Sequence, residues 1–146
     1  MAEVSINWAA VAVATIVNMV IGGLWYSPVL FAKPWTAEVE KTIGKERFQR
    51  LHDAMRTKGT AIRTYGLMFV GAFLVSYGMG LIVGHTSADT VALGLIVGSV
   101  AWLCFVVTTS LVTVLFEGRS FKVYLISMAH QFVAFSATGI ILAVWQ

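Results

Sequence analysis

The residues best equipped for chemistry lie inside long apolar runs: Asn18, Ser76, Ser99, the group Thr108, Thr109, Ser110 and Thr113, then Ser127, His130, Gln131, Ser136 and Thr138. In such surroundings a hydrogen-bonding side chain either fixes helix register, at about 1 kcal/mol per bond, or faces a ligand, proton or ion. His130 stands apart, because imidazole changes charge near neutral pH. Counted at about 1.5 Å per residue from the charged helix ends, Asn18 lies roughly 14 Å deep, Thr109 roughly 10 Å, and His130 with Gln131 roughly 12 to 14 Å. They occupy one level. Ser127, Gln131, Ala134 and Thr138 follow one helical face with His130 at its edge, while Asn7, Asn18 and Trp25 share another. If both faces point inward, Asn18, Trp25, Thr109, His130 and Gln131 form a ligand-binding set. The competing reading is a hydrogen-bonded network that only sets register.

Other chemistry finds little support. No Asp, Glu, Lys or Arg lies deep in an apolar run. The small multidrug resistance exporters, which the chain resembles in size, depend on a carboxylate in helix 1, where this sequence offers Asn18. A carboxylate-driven pump is therefore not expected. His85 and His130 fall at opposite depths, His52 lies in a polar loop, and no His-x-x-x-His or Cys-x-x-Cys occurs, so neither haem nor metal is expected. His85 with Asp89 as an ion site is a weaker reading than loop solvation. No phosphate loop, Gly-x-Ser-x-Gly or dinucleotide fingerprint is present, and no cofactor is expected. Glu117-Gly118-Arg119 is the one acid and base pair at a helix end. It serves either as an interfacial anchor, or as a site where Arg119 and Lys122 hold a lipid phosphate.

The elements that must position these groups follow from composition. Of 146 residues, 58% are hydrophobic and 12% charged, against about 25% charged in a soluble domain, and mean hydropathy is +0.83. A nucleic-acid binder and an ordinary soluble enzyme are excluded as leading readings. Four apolar stretches, Ile6 to Phe31, Ala61 to Val83, Val91 to Phe116 and Val123 to Trp145, each exceed the roughly 20 residues a spanning helix needs. The expected fold is all-α: one transmembrane domain over residues 1–146, a four-helix antiparallel bundle with a basic helical loop at 33–60. The stretch from Lys33 to Arg63 holds eight Lys or Arg against four acids, and the Glu117 to Lys122 turn holds two more bases. The positive-inside rule puts both in the cytoplasm and both termini outside, in a plasma or bacterial inner membrane. Trp8 and Trp145 then mark the outer interface, and Trp25, Tyr26, Trp35, Tyr65 and Tyr124 the inner one, with Trp102 an exception in mid helix. Glu3, with no Lys or Arg near the amino terminus, weighs against a cleavable signal peptide. Cys104 is read as a small packed hydrophobe.

Proline 28 should stop or kink the first helix after Leu24-Trp25-Tyr26-Ser27, and Val29 to Trp35 reads as an interfacial foot. Beyond it Thr36 suits a cap, Glu46 and Arg50 an i,i+4 pair, and Phe48, Leu51 and Met55 one stripe. With Lys45, Arg47, Arg50 and Lys58 nearby, this segment either lies on an anionic leaflet or is a solvated helix. Ser87 and Asp89 suit the start of the third span. Small residues recur every four positions: Ala10, Ala14, Asn18 and Gly22; Ala72, Ser76, Gly80 and Gly84; Thr90, Gly94 and Gly98. Such rows let helices approach closely. One bundle has more of them than its seams need, so at least one is expected to mediate a homo-oligomer, most simply a dimer.

Leu24-Trp25-Tyr26-Ser27-Pro28-Val29-Leu30-Phe31-Ala32-Lys33-Pro34-Trp35, Leu115-Phe116-Glu117-Gly118-Arg119, Tyr124-Leu125-Ile126 and the closing Gly139-Ile140-Ile141-Leu142-Ala143-Val144-Trp145 resemble the small membrane proteins classed as domain of unknown function 1761. The resemblance runs over nearly the whole chain and implies the same four-helix arrangement, without an activity. Where members of that family tend to carry Asn-Ala-Gly-Tyr in helix 4, this chain has Ser127-Met128-Ala129-His130. The leading expectation is a membrane protein that binds or passes a small or lipid-like molecule between its polar level and the Trp25 to Trp35 foot. The alternative is an accessory subunit binding partners or anionic lipid through Lys45, Arg47, Arg50, Arg119 and Lys122. A membrane enzyme using Glu117, Arg119 and His130 is third.

Overall fold

In the computed structural model, which describes residues 5–146, the chain is helical, with no strand among the described residues. Glu3 lies outside them. The helices are α1 (Trp8–Trp25), α2 (Ala32–Ile43), α3 (Lys45–Arg56), α4 (Lys58–Thr86), α5 (Val91–Ala101), α6 (Thr108–Leu115) and α7 (Phe121–Val144), and a π-helical turn at Trp102–Val107 joins α5 to α6. Among the described residues four helical stretches are long and apolar enough to cross a membrane: α1, α4, the continuous Val91–Leu115 and α7.

Helix ends have local causes. Asn7 caps α1, its side-chain oxygen accepting from the Ala9 and Ala10 amides at 3.0 and 3.1 Å. α1 stops at Trp25, and the turn through Ser27 and Pro28 closes with the Phe31 amide donating to the Trp25 carbonyl at 3.0 Å. α2 then starts at Ala32, so Pro34 falls in its first turn, where a missing donor costs little. Thr36 therefore lies within α2 and does not cap it. The expected single loop helix is two, because Gly44 adopts φ +84, a left-handed conformation that interrupts the α-helical path. At the other end Ser87, at φ 50, terminates α4, and the cap of α5 is Thr90, which accepts from the Leu93 amide at 3.2 Å.

Helix α7 is the centre of the packing: it lies against α1, α4 and α5 and meets α2 at one end. α4 touches α5 only lightly, although they are consecutive. The closest seam, between α5 and α7, exists because Gly94, Gly98 and Gly139 bring backbone against backbone. A Cβ on Gly94 would stand 2.6 Å from the Gly139 carbonyl oxygen. The other small rows are also spent inside the molecule. Ala10, Ala14 and Ser76 are fully buried, Gly22 faces His130, and Gly80 faces Val11 and Leu142. Each of these rows thus contributes to a seam within the chain.

Two residues around the π turn lie elsewhere than expected. Gly94, Gly98 and Ala101 face α7; continued at α-helical spacing, that face would pass near residues 105, 108 and 112. Beyond the wide turn the half-buried positions include Val106, Ser110 and Thr113. Thr109 is exposed, its hydroxyl donating to the Phe105 carbonyl of its own helix. Cys104 is likewise exposed instead of packed. Trp102 reaches inward to donate to the Met128 carbonyl at 3.0 Å and meets Phe132 edge-on, which accounts for an indole in mid helix.

Candidate functional site

The turn after α1 folds α2 back against the start of α7, and aromatic residues make the joint. Trp25 stacks on Phe31 with ring centres 4.7 Å apart and donates its indole N–H to the Ile126 carbonyl at 3.1 Å. Tyr26 meets the edge of Trp35 at 5.5 Å, and its hydroxyl lies 3.4 Å from Ser127 Oγ. His130, one turn further along α7, stands between the Trp25 and Tyr26 rings at 5.9 and 5.3 Å. Its Nε2 is buried and unpartnered, and a Cβ on Gly22 would lie 3.4 Å from it. A glycine there leaves room for the imidazole.

Glu38 fastens the far side of the joint. One carboxylate oxygen accepts from Ser120 Oγ at 3.1 Å, and the other pairs with Lys41 at 2.9 Å and Lys122 at 3.6 Å. The hydrogen bond from Lys41, then that from Ser120, holds its pKa below the usual carboxylate value of 4.5. A lowered folded-state pKa stabilises the docked form above 4.5, and that contribution disappears as pH falls through the lowered value. A spin label on exposed Ala37 is therefore expected to be restrained at neutral pH and to gain mobility as pH falls through that lowered value. Glu38→Gln should leave it mobile at both pH values. A label equally restrained in Glu38→Gln at neutral pH would show that the carboxylate does not hold α2.

Three concavities surround the lower half of α7. A cleft of about 510 Å³ opens between α2 and α7, lined by Tyr26, Trp35, Val39, Ile43, Arg119 and Ser127 among others. A cavity of about 200 Å³ lies between α1, α4 and α7, where Asn18, Gly22, His130 and Gln131 meet Met68 and Ala72. Another of about 200 Å³, beside α6, has Ser110, Thr113, Arg119, Ser127 and Gln131 on its walls. Arg119 and Ser127 belong to the first and third, and Gln131 to the second and third. A polar edge of α7 thus runs past all three. Above it the same face is closed, with Ala134 and Thr138 at 0% and 1% exposure. Arg119 is held by Glu117 through Nε at 3.1 Å, so its two terminal nitrogens lie outside that contact.

Of the residues expected to act together, Asn18, His130 and Gln131 share one cavity. Trp25 sits beside His130 but lines none of these spaces; its polar atom is committed to the backbone of α7. Thr109 points away, and Ser110 and Thr113 take its place. Arg119 lines the cleft, and Lys122 contributes to the Glu38 cluster. Lys45, Arg47 and Arg50 stand on α3, away from the cavities, and Arg50 makes a 3.9 Å contact with Glu46 where both are exposed. His85 is exposed, with Nδ1 2.8 Å from the Leu81 carbonyl. Among the described residues no three of His, Cys, Asp and Glu come together as metal ligands. Glu38, Ser120, Val39 and Ile43 were not foreseen as site residues. The amphipathic pattern of 36–43 marks a helix in the sequence, but not that it turns back onto residues about 80 positions later.

A family model described as a protein of unknown function (DUF1761) matches residues 9–143. The chain belongs to this family. The match covers α1 to α7 except the first residue of α1 and the last of α7, so both the aromatic joint and the polar edge of α7 fall within the DUF1761 region. No curated protein and no solved structure matches the chain.

Proposed function

We propose that this DUF1761 protein is a multi-pass membrane protein that binds a single small amphiphile with an anionic head between α2 and α7. In this reading the four long helices cross the bilayer antiparallel, and the basic end carrying α2, α3 and the Glu117 to Lys122 turn faces the cytoplasm, as the Lys and Arg bias favours. The supporting observation is the roughly 510 Å³ cleft, which pairs an apolar wall of Trp35, Val39, Ile43 and Val123 with Arg119, Ser120 and Ser127. Its size and mixed lining suit a small ligand. The hydrocarbon part lies along α2, and the head, a phosphate or carboxylate, takes the free nitrogens of Arg119. The cavity of Asn18, His130 and Gln131 adds further hydrogen-bonding groups beside it.

Binding is favoured over passage, because the continuation of the polar edge is packed at Ala134 and Thr138. An alkyl phosphate should bind the purified protein in nanodiscs, and Arg119→Ala should weaken it by roughly tenfold, the loss of one charged hydrogen-bond partner. Arg119→Lys should recover part of the loss. A neutral alkyl alcohol should respond little to either change. Equal affinity of Arg119→Ala and the unaltered protein for the phosphate would refute the site.

A further inference from the structure

Helix α3 takes no part in the cleft. Gly44 separates it from α2, and its substantial contacts are with its chain neighbours α2 and α4. At about 100° per residue, Phe48, Leu51 and Met55 fall on one face, and Leu51 and Met55 are 54% and 36% exposed. Glu46 and Asp53 fall on the opposite pole. Arg47 lies along one flank of the apolar face, with Lys45 and Arg56 along the other. Both acids thus stand as far as the helix permits from the apolar stripe, and bases border it on either side.

We propose that α3 is an in-plane anchor that lays Phe48, Leu51 and Met55 into the anionic lipid surface beside the four long helices, with Lys45, Arg47 and Arg56 at the headgroups. Leu51 and Met55 on the apolar face are exposed and Phe48 is half-buried, and the basic borders complement lipid phosphates. Long basic side chains can reach headgroups while their stems cover apolar surface. A second copy of the chain is a poorer occupant: apposing two such faces would bring basic borders together. The inference is independent of the amphiphile cleft, and Arg119→Ala should leave it untouched.

The test uses the full chain in nanodiscs with Cys104→Ser as background and a fluorophore on Leu51→Cys, Met55→Cys or Glu46→Cys. In phosphatidylglycerol-rich bilayers containing brominated acyl chains, labels at 51 and 55 should be quenched several-fold more than the label at 46. The difference should fall by at least half in phosphatidylcholine, and also when Lys45, Arg47 and Arg56 are all changed to Gln. Equal quenching at the three positions, or quenching at 51 and 55 indifferent to lipid charge, would overturn the proposal. So would labels at 51 and 55 shielded from aqueous iodide but not reached by brominated lipid, the signature of a protein partner.

Discussion

Gly94→Ala is expected to destabilise the folded chain by about 1–3 kcal/mol, the usual cost of forcing extra volume into a tight seam. The added methyl would meet the Gly139 carbonyl oxygen at 2.6 Å and the Ala143 Cβ and Ile140 Cα at 2.8 Å. Two of these three atoms are backbone, so no side-chain rotation relieves the clash; α5 must move off α7. Gly139→Ala should behave in the same way from the other side, since its Cβ would meet the Gly94 carbonyl. Gly78 is the control. It lies within α4 with open space around it, and alanine there should stabilise slightly, by about 0.5–1 kcal/mol, through reduced backbone entropy. Thermal unfolding in detergent followed by circular dichroism distinguishes the two classes. If Gly94→Ala and Gly78→Ala melt together, the glycine seam does not govern stability.

Trp25→Ala should cost on the order of 3 kcal/mol, as for other large-to-small aromatic changes. Three connections vanish at once: the stack on Phe31, the contact with His130, and the indole hydrogen bond to the Ile126 carbonyl. Loss of the last removes the hydrogen bond that ties the end of α1 to the backbone of α7. Trp25→Phe keeps a ring but not the donor, and should lose about 1 kcal/mol. The same pair of variants separates support from ligand contact. Because Trp25 lines none of the three concavities, Trp25→Phe should leave alkyl phosphate affinity within about twofold at temperatures where it is folded, since removed structure away from a contact has little direct effect on binding. A tenfold loss with stability unchanged would put Trp25 back among the ligand contacts.

The four long helices were legible because an apolar run of some 20 residues leaves the backbone few alternatives. The polar level was legible in part. Asn18, His130 and Gln131 follow unbroken α-helical spacing and meet as counted. Thr109 comes after the π turn, which no hydrophobic pattern announces, and its hydroxyl is turned back onto its own helix. Pro28 marked the end of α1, yet the return of α2 depends on Glu38 finding Ser120 and Lys122, contacts between distant parts of the chain. The small rows posed a different difficulty: their spacing reports close approach but not the identity of the neighbour. Gly94 and Gly98 meet α7.

The most direct measurement of the proposed function is photocrosslinking with an alkyl phosphate carrying a diazirine on its chain, followed by mass mapping of the adducts. The cleft predicts adducts on Trp35 to Ile43 and on Val123 to Ser127, suppressed by excess unlabelled alkyl phosphate and by Arg119→Ala. Adducts confined to the exposed apolar surface of α4, around Leu67 to Leu74, and insensitive to both, would contradict it.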